Sequence, residues 1–499
     1  MNRKLVFLLC LFVLSFSYLF VKFRPIEVEA SNGYRVHNLN TGLNYTTIQE
    51  AINADETLDG HTIFVEEETY YGPVVVNKSL SLVGENISTT IIDGNGTAGN
   101  VVIVIASFVN VSDFTIQHSE VGGSGVFLMN TIGSTVQNLK VSNCYYEIRC
   151  TGSSHNTIKN CNLSGYGHNY GVWIVASDDN LVSNNTISNA GFGIELYFNV
   201  AGNILENNKV TLCTFGIESF PCRDNTVTRN VMSNCTSGIS LRGFNNTVTE
   251  NDISHCEYFG IDIALSNFTV ISGNVLTHNG MGIWITGGSG GGSEFNIIFG
   301  NTLISNEHGF DVRYCSNNIF YHNNIINNSV QAYLSGTINT WDNGYPSGGN
   351  YWSDYNGADL YSGPFQNETG YDWVGDSQYI IDQNNTDRYP LMHPFVPEME
   401  EMRIAYRTLL LRYNELQSEF EDLNSTCQNL TESISNLAMT FNSTVSNLQG
   451  QINSLNKTCL NLNQSLTILH GQLNSMNSTL QSSINSLQGQ YDSLNNQLN

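Results

Sequence analysis

The segment "NNTISNAGFGIELY" runs from Asn184 to Tyr197, and "NNKVTLCTFGIESF" runs from Asn207 to Phe220. Each passes from Asn through an aliphatic residue to a Gly-Ile pair. The same line returns as "NVMSNCTSGISL" from Asn230, "NDISHCEYFGIDI" from Asn251, "NVLTHNGMGIWI" from Asn274 and "NTLISNEHGFDV" from Asn301. Starts are 21 to 23 residues apart, except where the Gly-rich "GGSGGGSE" lengthens one unit. Weaker copies precede them, "LKVSNCYYEI" from Leu139 and "CNLSGYGHNYGVWI" from Cys161. A fixed period in this range means stacked units. Each unit holds two-residue alternations broken by Asn, Gly or Ser, and none holds an uninterrupted helical face. Three short strands and three turns fit the period. The expected fold is therefore an all-β right-handed parallel β-helix, each coil hydrogen-bonded to the next about 4.8 Å away.

Stacking assigns the repeated positions. The aliphatic residue after Asn and the Ile after Gly point inward onto their copies. The Asn amide bonds to the next Asn and to turn backbone. Glycine before the strand is expected to supply a turn conformation that other residues resist. Cys144, Cys213, Cys235 and Cys256 share one position, which Ala190 and Asn279 also occupy. That mixture reads as a buried small-residue ladder. His255 and His278 fall in adjacent coils and read as stacked turn residues, with a soft metal as the alternative.

The chain has 499 residues, with 44 Asp plus Glu against 19 Lys plus Arg. A net charge of -25 excludes nucleic acid as a partner class, because phosphate binding needs clustered Lys and Arg. At the start, "MNRK" followed by the apolar run Leu5–Val21 and "VEA" ending at Ala30 reads as a signal peptide or an uncleaved N-terminal anchor. Both readings place the rest outside the cytoplasm, with the membrane touched only through this segment. Asn-x-Ser/Thr sequons at Asn44, Asn77, Asn86, Asn110, Asn245, Asn367, Asn424 and Asn477 permit N-glycosylation.

Three segments carry a family resemblance. "YTTIQEAINA" with "HTIFVEEETYYGPVVVNKSLSLVGENISTTIIDG" forms an opening, with a capping helix at Thr47 to Ala54. The Gly-Ile coils form the middle. "GGNYWSDYNGADLY" with "GDSQYIIDQNNTDRYPLMHP" forms a closing segment. Over roughly Tyr34 to Pro394 the chain resembles extracytoplasmic, pectate-lyase-like β-helix proteins. It is most similar to the NosD-type, carbohydrate-binding and sugar-hydrolase repeat proteins, an archaeal type of surface protein. The resemblance implies the fold, and its NosD label implies copper delivery. The sequence has no Cys, His and Met cluster to support copper.

The residue after Gly-Ile alternates outward. Down the coils it reads Trp173, Glu195, Glu218, Ser240, Asp262, Trp284 and Asp311. Two residues on, the row reads Val175, Tyr197, Phe220, Arg242, Ala264, Thr286 and Arg313. Aromatic rings stack on pyranose faces and carboxylates accept from sugar hydroxyls. Trp173, Tyr197, Phe220, Arg242, Trp284 and Arg313 are thus candidate carbohydrate contacts. Glu195, Glu218, Asp262 and Asp311 are candidate catalytic acids. Glu195 and Glu218 are one coil apart, near the ~5 Å spacing of retaining glycosidases, and Glu218 and Asp262 are two coils apart, roughly 9.6 Å, as in inverting ones. In the closing segment Asp382, Asn384 and Asp387 offer calcium oxygen ligands, with a capping turn as the alternative.

From Pro397 glycine almost disappears and the period becomes 3.5. Leu409, Leu416, Leu423, Leu430 and Leu437 recur every seventh residue, and an insertion near Val445 interrupts the seam before it resumes at Leu448. This predicts a long α-helical coiled coil, a dimer or trimer about 150 Å long. Cys427 and Cys459 lie on its seam and are expected to link identical chains. The domains are then 1–30, signal or anchor; 31–110, N-terminal cap; 111–340, coils; 341–396, Asp- and aromatic-rich cap; and 397–499, stalk. The function expected is an exported, non-catalytic surface protein binding polysaccharide, glycoprotein or another envelope component. A hydrolase or lyase and a purely structural envelope protein are the alternatives.

Overall fold

The computed structural model describes residues 33–97, 99–288, 292–438 and 445–498. The expected targeting segment, residues 1–30, lies outside the described residues. The chain forms two compact units. The first holds residues up to 297 with 303–318 and 327–339, and the second holds 298–302, 319–326 and the chain from 340.

The first unit is a right-handed parallel β-solenoid. One coil contributes Leu181–Ser183, Thr186–Ser188 and Phe192–Tyr197, and the next Ile204–Glu206, Lys209–Thr211 and Phe215–Arg223. The pairing is parallel and in register: Val182 lies against Leu205, Ile187 against Val210 and Ile194 against Ile217. All six side chains are fully buried. Each is worth about 1.5–3 kcal/mol of apolar burial. The third strands of the coils assemble a twelve-stranded sheet from Val74–Val76 to Val330–Ser335, the Gly-Ile sheet. Helix α1, Ile48–Asn53, starts on a Thr47–Glu50 capping box and buries Ile48, Ala51 and Ile52.

Each coil turns three corners, and one device serves all three. A residue with positive φ is followed by a buried residue, which at two corners is an asparagine bonded to the next coil. Asn184, Asn207, Arg229 and Glu250 have φ between 53° and 56°. They precede the ladder Asn185, Asn208, Asn230 and Asn251, where each Nδ2 donates to the next Oδ1 at 3.0 Å. A second ladder joins Asn156, Asn180, Asn203 and Asn225 at 3.1 to 3.2 Å. The third corner carries the expected cysteine ladder, with Cys144, Cys213, Cys235 and Cys256 all buried. It passes to asparagine when Cys256 N donates to Asn279 Oδ1 at 2.9 Å. His255 and His278 stack there with ring centroids 5.1 Å apart and planes 4° apart.

The glycine of Gly-Ile has a different role from the one expected. It does not take a left-handed turn conformation, which the corner residues supply instead. It is required by close approach. A Cβ on Gly216 would lie 2.6 Å from the Gly238 carbonyl oxygen of the next coil.

Between Gly125 and Gly171 the position is held by an acid instead. Ser124 pairs with Tyr146 and Val126 with Ile148, so Glu147 stands opposite Gly125 in the glycine position. Its side chain is fully buried. Asn169 Nδ2 donates to Glu147 Oε1 at 3.0 Å, and Oε2 has no partner. Burial pushes its carboxyl well above 4.5, against smaller pulls from Cys144 and Asn169. A folded-state value above the unfolded one means that the native chain holds the proton more tightly. Stability then falls as pH rises from 4.5 toward the folded value. Glu147→Gln is expected to raise the unfolding midpoint at pH 7 by about 2–4 °C or more, with the gain fading by about pH 4. Thermal scans at both pH values check this.

In the second unit, Asn301, Asn323 and Asn350 form a ladder at 3.0 and 2.9 Å. It ends on Asp387, whose Oδ2 accepts from Asn350 N at 2.7 Å and from Trp352 Nε1 at 2.9 Å. Trp352 stacks on Tyr379 at 4.2 Å, and Phe320 on Trp341 at 4.2 Å. The heptad region is not one continuous rod. It forms α2, Pro397–Ala438, and α3, Val445–Leu498. Tyr413 meets His470 (centroids 5.8 Å) and Cys427 meets Cys459, so the helices pair antiparallel within the chain. The seam residues Leu416, Leu423, Leu430, Leu455 and Leu462 are half-buried by this return.

Candidate functional site

The outward face of the Gly-Ile sheet gathers the residues singled out by their spacing. Register places Arg149, Trp173, Glu195, Glu218, Ser240, Asp262, Trp284 and Asp311 in one unbroken column, each opposite the next. The column exists because every strand keeps the same register with the next.

Its acids differ from the solvated groups that outward strand positions usually carry. Glu195 is 9 % exposed, Asp262 3 % and Asp311 fully buried. Burial, and then the charge of Glu218, raise Glu195 to about 7, against a smaller pull from the Trp173 indole. Glu218 is raised by burial and held back by Arg242. Asp262 is raised to about 6 by burial, opposed by Ser240 and Arg242. Ser240 Oγ donates to Asp262 Oδ2 at 3.0 Å, and Asp262 Oδ1 has no partner. The facing Trp284 also has an unpartnered Nε1. Asp311 is fully engaged. Arg313 donates to both of its oxygens, at 2.6 and 2.8 Å, and His308 Nδ1 lies 2.9 Å from Oδ2. Asp311 and Arg313 thus form an ion pair within one strand.

A second column was missed by sequence reasoning. The residue before the glycine position also points outward, giving Tyr146, Tyr170, Phe192 and Phe215 in register. Their rings stack at 5.0, 4.8 and 5.2 Å. Tyr146 also stacks on Trp173 at 4.7 Å, and Phe259 stacks on Trp284 at 4.7 Å. Arg149 was missed as well. Its guanidinium lies 4.6 Å from the Phe127 ring centre and 4.9 Å from that of Trp173. The signal was available, since an aromatic precedes Gly in four of these coils.

On the other side of the acids, Val175, Tyr197 and Phe220 are in register, with Tyr197 41 % and Phe220 44 % exposed. Arg242 leaves that ladder. The strands shift register after Ser219 and Leu241, yet its guanidinium still lies 5.3 Å from the Phe220 ring centre.

Two of the calcium candidates, Asp382 and Asp387, are engaged in hydrogen bonds of the closing segment. Asp387 is fully buried and bonded to Asn350, Trp352 and Tyr389. Asp382 Oδ1 accepts from Asn384 N at 2.7 Å and Asn385 N at 2.8 Å. Their carboxylates close a capping turn.

A family model described as periplasmic copper-binding protein (NosD) matches residues 54–221 and 199–357. A cell surface glycoprotein of Methanothermus fervidus is 28% identical over 337 residues, covering 64% of this chain and 53% of that protein. The chain thus spans about half the length of the curated relative it matches. Among solved structures, the A-module of the Azotobacter vinelandii mannuronan C-5 epimerase AlgE4 is 15% identical with a TM-score of 0.49, covering 61% of this chain and 95% of that one. The catalytic domain of a GH87 alpha-1,3-glucanase in complex with nigerose is 13% identical with a TM-score of 0.47, covering 66% and 71%. The donor set does not fit copper. Among the described residues no three His, Cys, Asp or Glu gather as a metal group, and the stacked His255 and His278 rings lie face to face in parallel planes.

Proposed function

The chain belongs to the family described as periplasmic copper-binding protein (NosD), and from that premise we propose an exported surface protein whose Gly-Ile sheet binds carbohydrate without cleaving it. Its family and its relative, a cell surface glycoprotein, are those of an extracytoplasmic protein. The observation that carries the binding reading is the column from Trp173 to Asp262 and Trp284, walled by stacked rings. Asp262 and Trp284 are register partners in adjacent coils, and Asp262 Oδ1 and Trp284 Nε1, an acceptor and a donor, are both unpaired. A sugar hydroxyl donates and accepts at once, so it suits either atom. Both atoms are covered in this conformation, so a ligand reaches them by parting the rim side chains. Tyr197 and Phe220, both exposed, flank Glu195 and Glu218 of the same column.

A hydrolase or lyase is the second reading, supported by one observation. Glu195, raised to about 7 beside Glu218, holds the proton that an acid catalyst needs. The seam of α2 and α3 is only half-buried, which supports homo-oligomerisation through the hairpin.

Purified protein is to be titrated with a panel of polysaccharides, with reducing-end release followed in parallel and light scattering reading the oligomer. Binding without release is expected, with affinity falling about tenfold in Trp284→Ala, which is about 1.4 kcal/mol. Release abolished by Glu218→Gln would establish the enzymatic reading instead. Silence in both assays would leave a purely structural envelope protein.

A further inference from the structure

We propose that Cys427 and Cys459 form an intrachain disulfide that staples α2 to α3. The inference is independent of the glycan reading and rests on the chain's place outside the cytoplasm, where disulfides persist. The eight described cysteines of the solenoid are buried in its wall, whereas Cys427 and Cys459 are half-exposed on the helices. Their Sγ atoms lie 3.0 Å apart. A small rotamer adjustment at each residue brings that separation to the roughly 2.05 Å of a bond. The Tyr413–His470 contact farther along the same two helices sets the same antiparallel register, so the meeting of the thiols follows from how the helices pair.

The chemistry balances against a disulfide oxidant outside the cytoplasm. One Cys thiolate attacks the oxidant's disulfide and releases its first thiol. The second Cys thiolate then displaces the other oxidant sulfur. The chain gains one S–S bond and loses two protons and two electrons, and the oxidant is reduced to two thiols. The closed loop joins Cys427 to Cys459 and fixes the hairpin against opening into a straight rod.

The test uses the full chain, exported into an oxidising compartment, alkylated without reduction and cut with trypsin. Cleavage after Arg412 and Lys457, with no later Lys or Arg, places the two cysteines on the separate peptides 413–457 and 458–499. The expected result is one cross-linked species of these two peptides that separates on reduction, from protein that runs as a monomer on a non-reducing gel. Two alkylated cysteines would overturn the proposal, and so would chains linked to each other through Cys427 or Cys459. The Cys427→Ser/Cys459→Ser chain is expected to lose helical signal about 5 °C or more below the parent. An unchanged melt would remove the stapling role.

Discussion

Replacing Asn208 with leucine will cost the solenoid about 3–6 kcal/mol. The side chain has the right size for its corner, and the loss comes from what it leaves behind. Asn208 Nδ2 donates to Val182 O at 2.9 Å and to Asn230 Oδ1 at 3.0 Å. Its Oδ1 accepts from Asn185 N and Asn185 Nδ2, both at 3.0 Å. Leucine strands both Asn185 donors, buried away from water, and removes one bond from the Val182 carbonyl. Each donor costs about 1–3 kcal/mol unpaired. The neighbouring Lys209 points outward, and Lys209→Ala is expected to stay within about 0.5 kcal/mol. Because a solenoid opens locally, hydrogen exchange should show the loss concentrated in the coils between Leu181 and Ser233. Guanidinium unfolding gives its size.

Gly260→Val is expected to cost about 3 kcal/mol or more. A Cβ at this position would lie 2.7 Å from the Gly282 carbonyl oxygen and 2.5 Å from Leu276 Cδ2. The carbonyl belongs to the next coil and is fixed by its own strand bonds, so the coils must part to admit the side chain. Gly273 is the matched control. Its φ of 64° puts it in the corner column that Asn184 and Asn207 occupy, and only Glu250 and Thr249 atoms at 3.6 Å or beyond face it. Gly273→Asn is expected to change stability by about 0.5 kcal/mol or less. Equal losses at the two glycines in chemical unfolding would refute the close-approach account.

The sequence carries the solenoid openly, because stacking forces like residues one period apart to touch. The column Trp173, Glu195, Glu218, Ser240, Asp262, Trp284 was readable by counting from glycine. The burial of its acids was not, because it depends on the neighbouring ring column, which hides behind glycines read as turns. Arg242 was placed beside Phe220 correctly as a contact and wrongly as a ladder step. The register shifts after Ser219 and Leu241 arise in strands whose extra length no periodicity announces. The heptads of α2 and α3 revealed a seam that needs a partner. They did not say that the partner is the chain's own return, since a and d positions look alike for a parallel rod and an antiparallel hairpin.

The asparagine ladder also has a polarity. Every amide hands hydrogens to the following coil, so the last member must meet an acceptor. Asp387 is such a group, acceptor at both oxygens when ionised and closed in by Trp352. Seating a carboxylate where an amide would otherwise invite another copy to dock makes this residue a terminator. It closes this ladder, where an open end would leave donors free to pair with another chain.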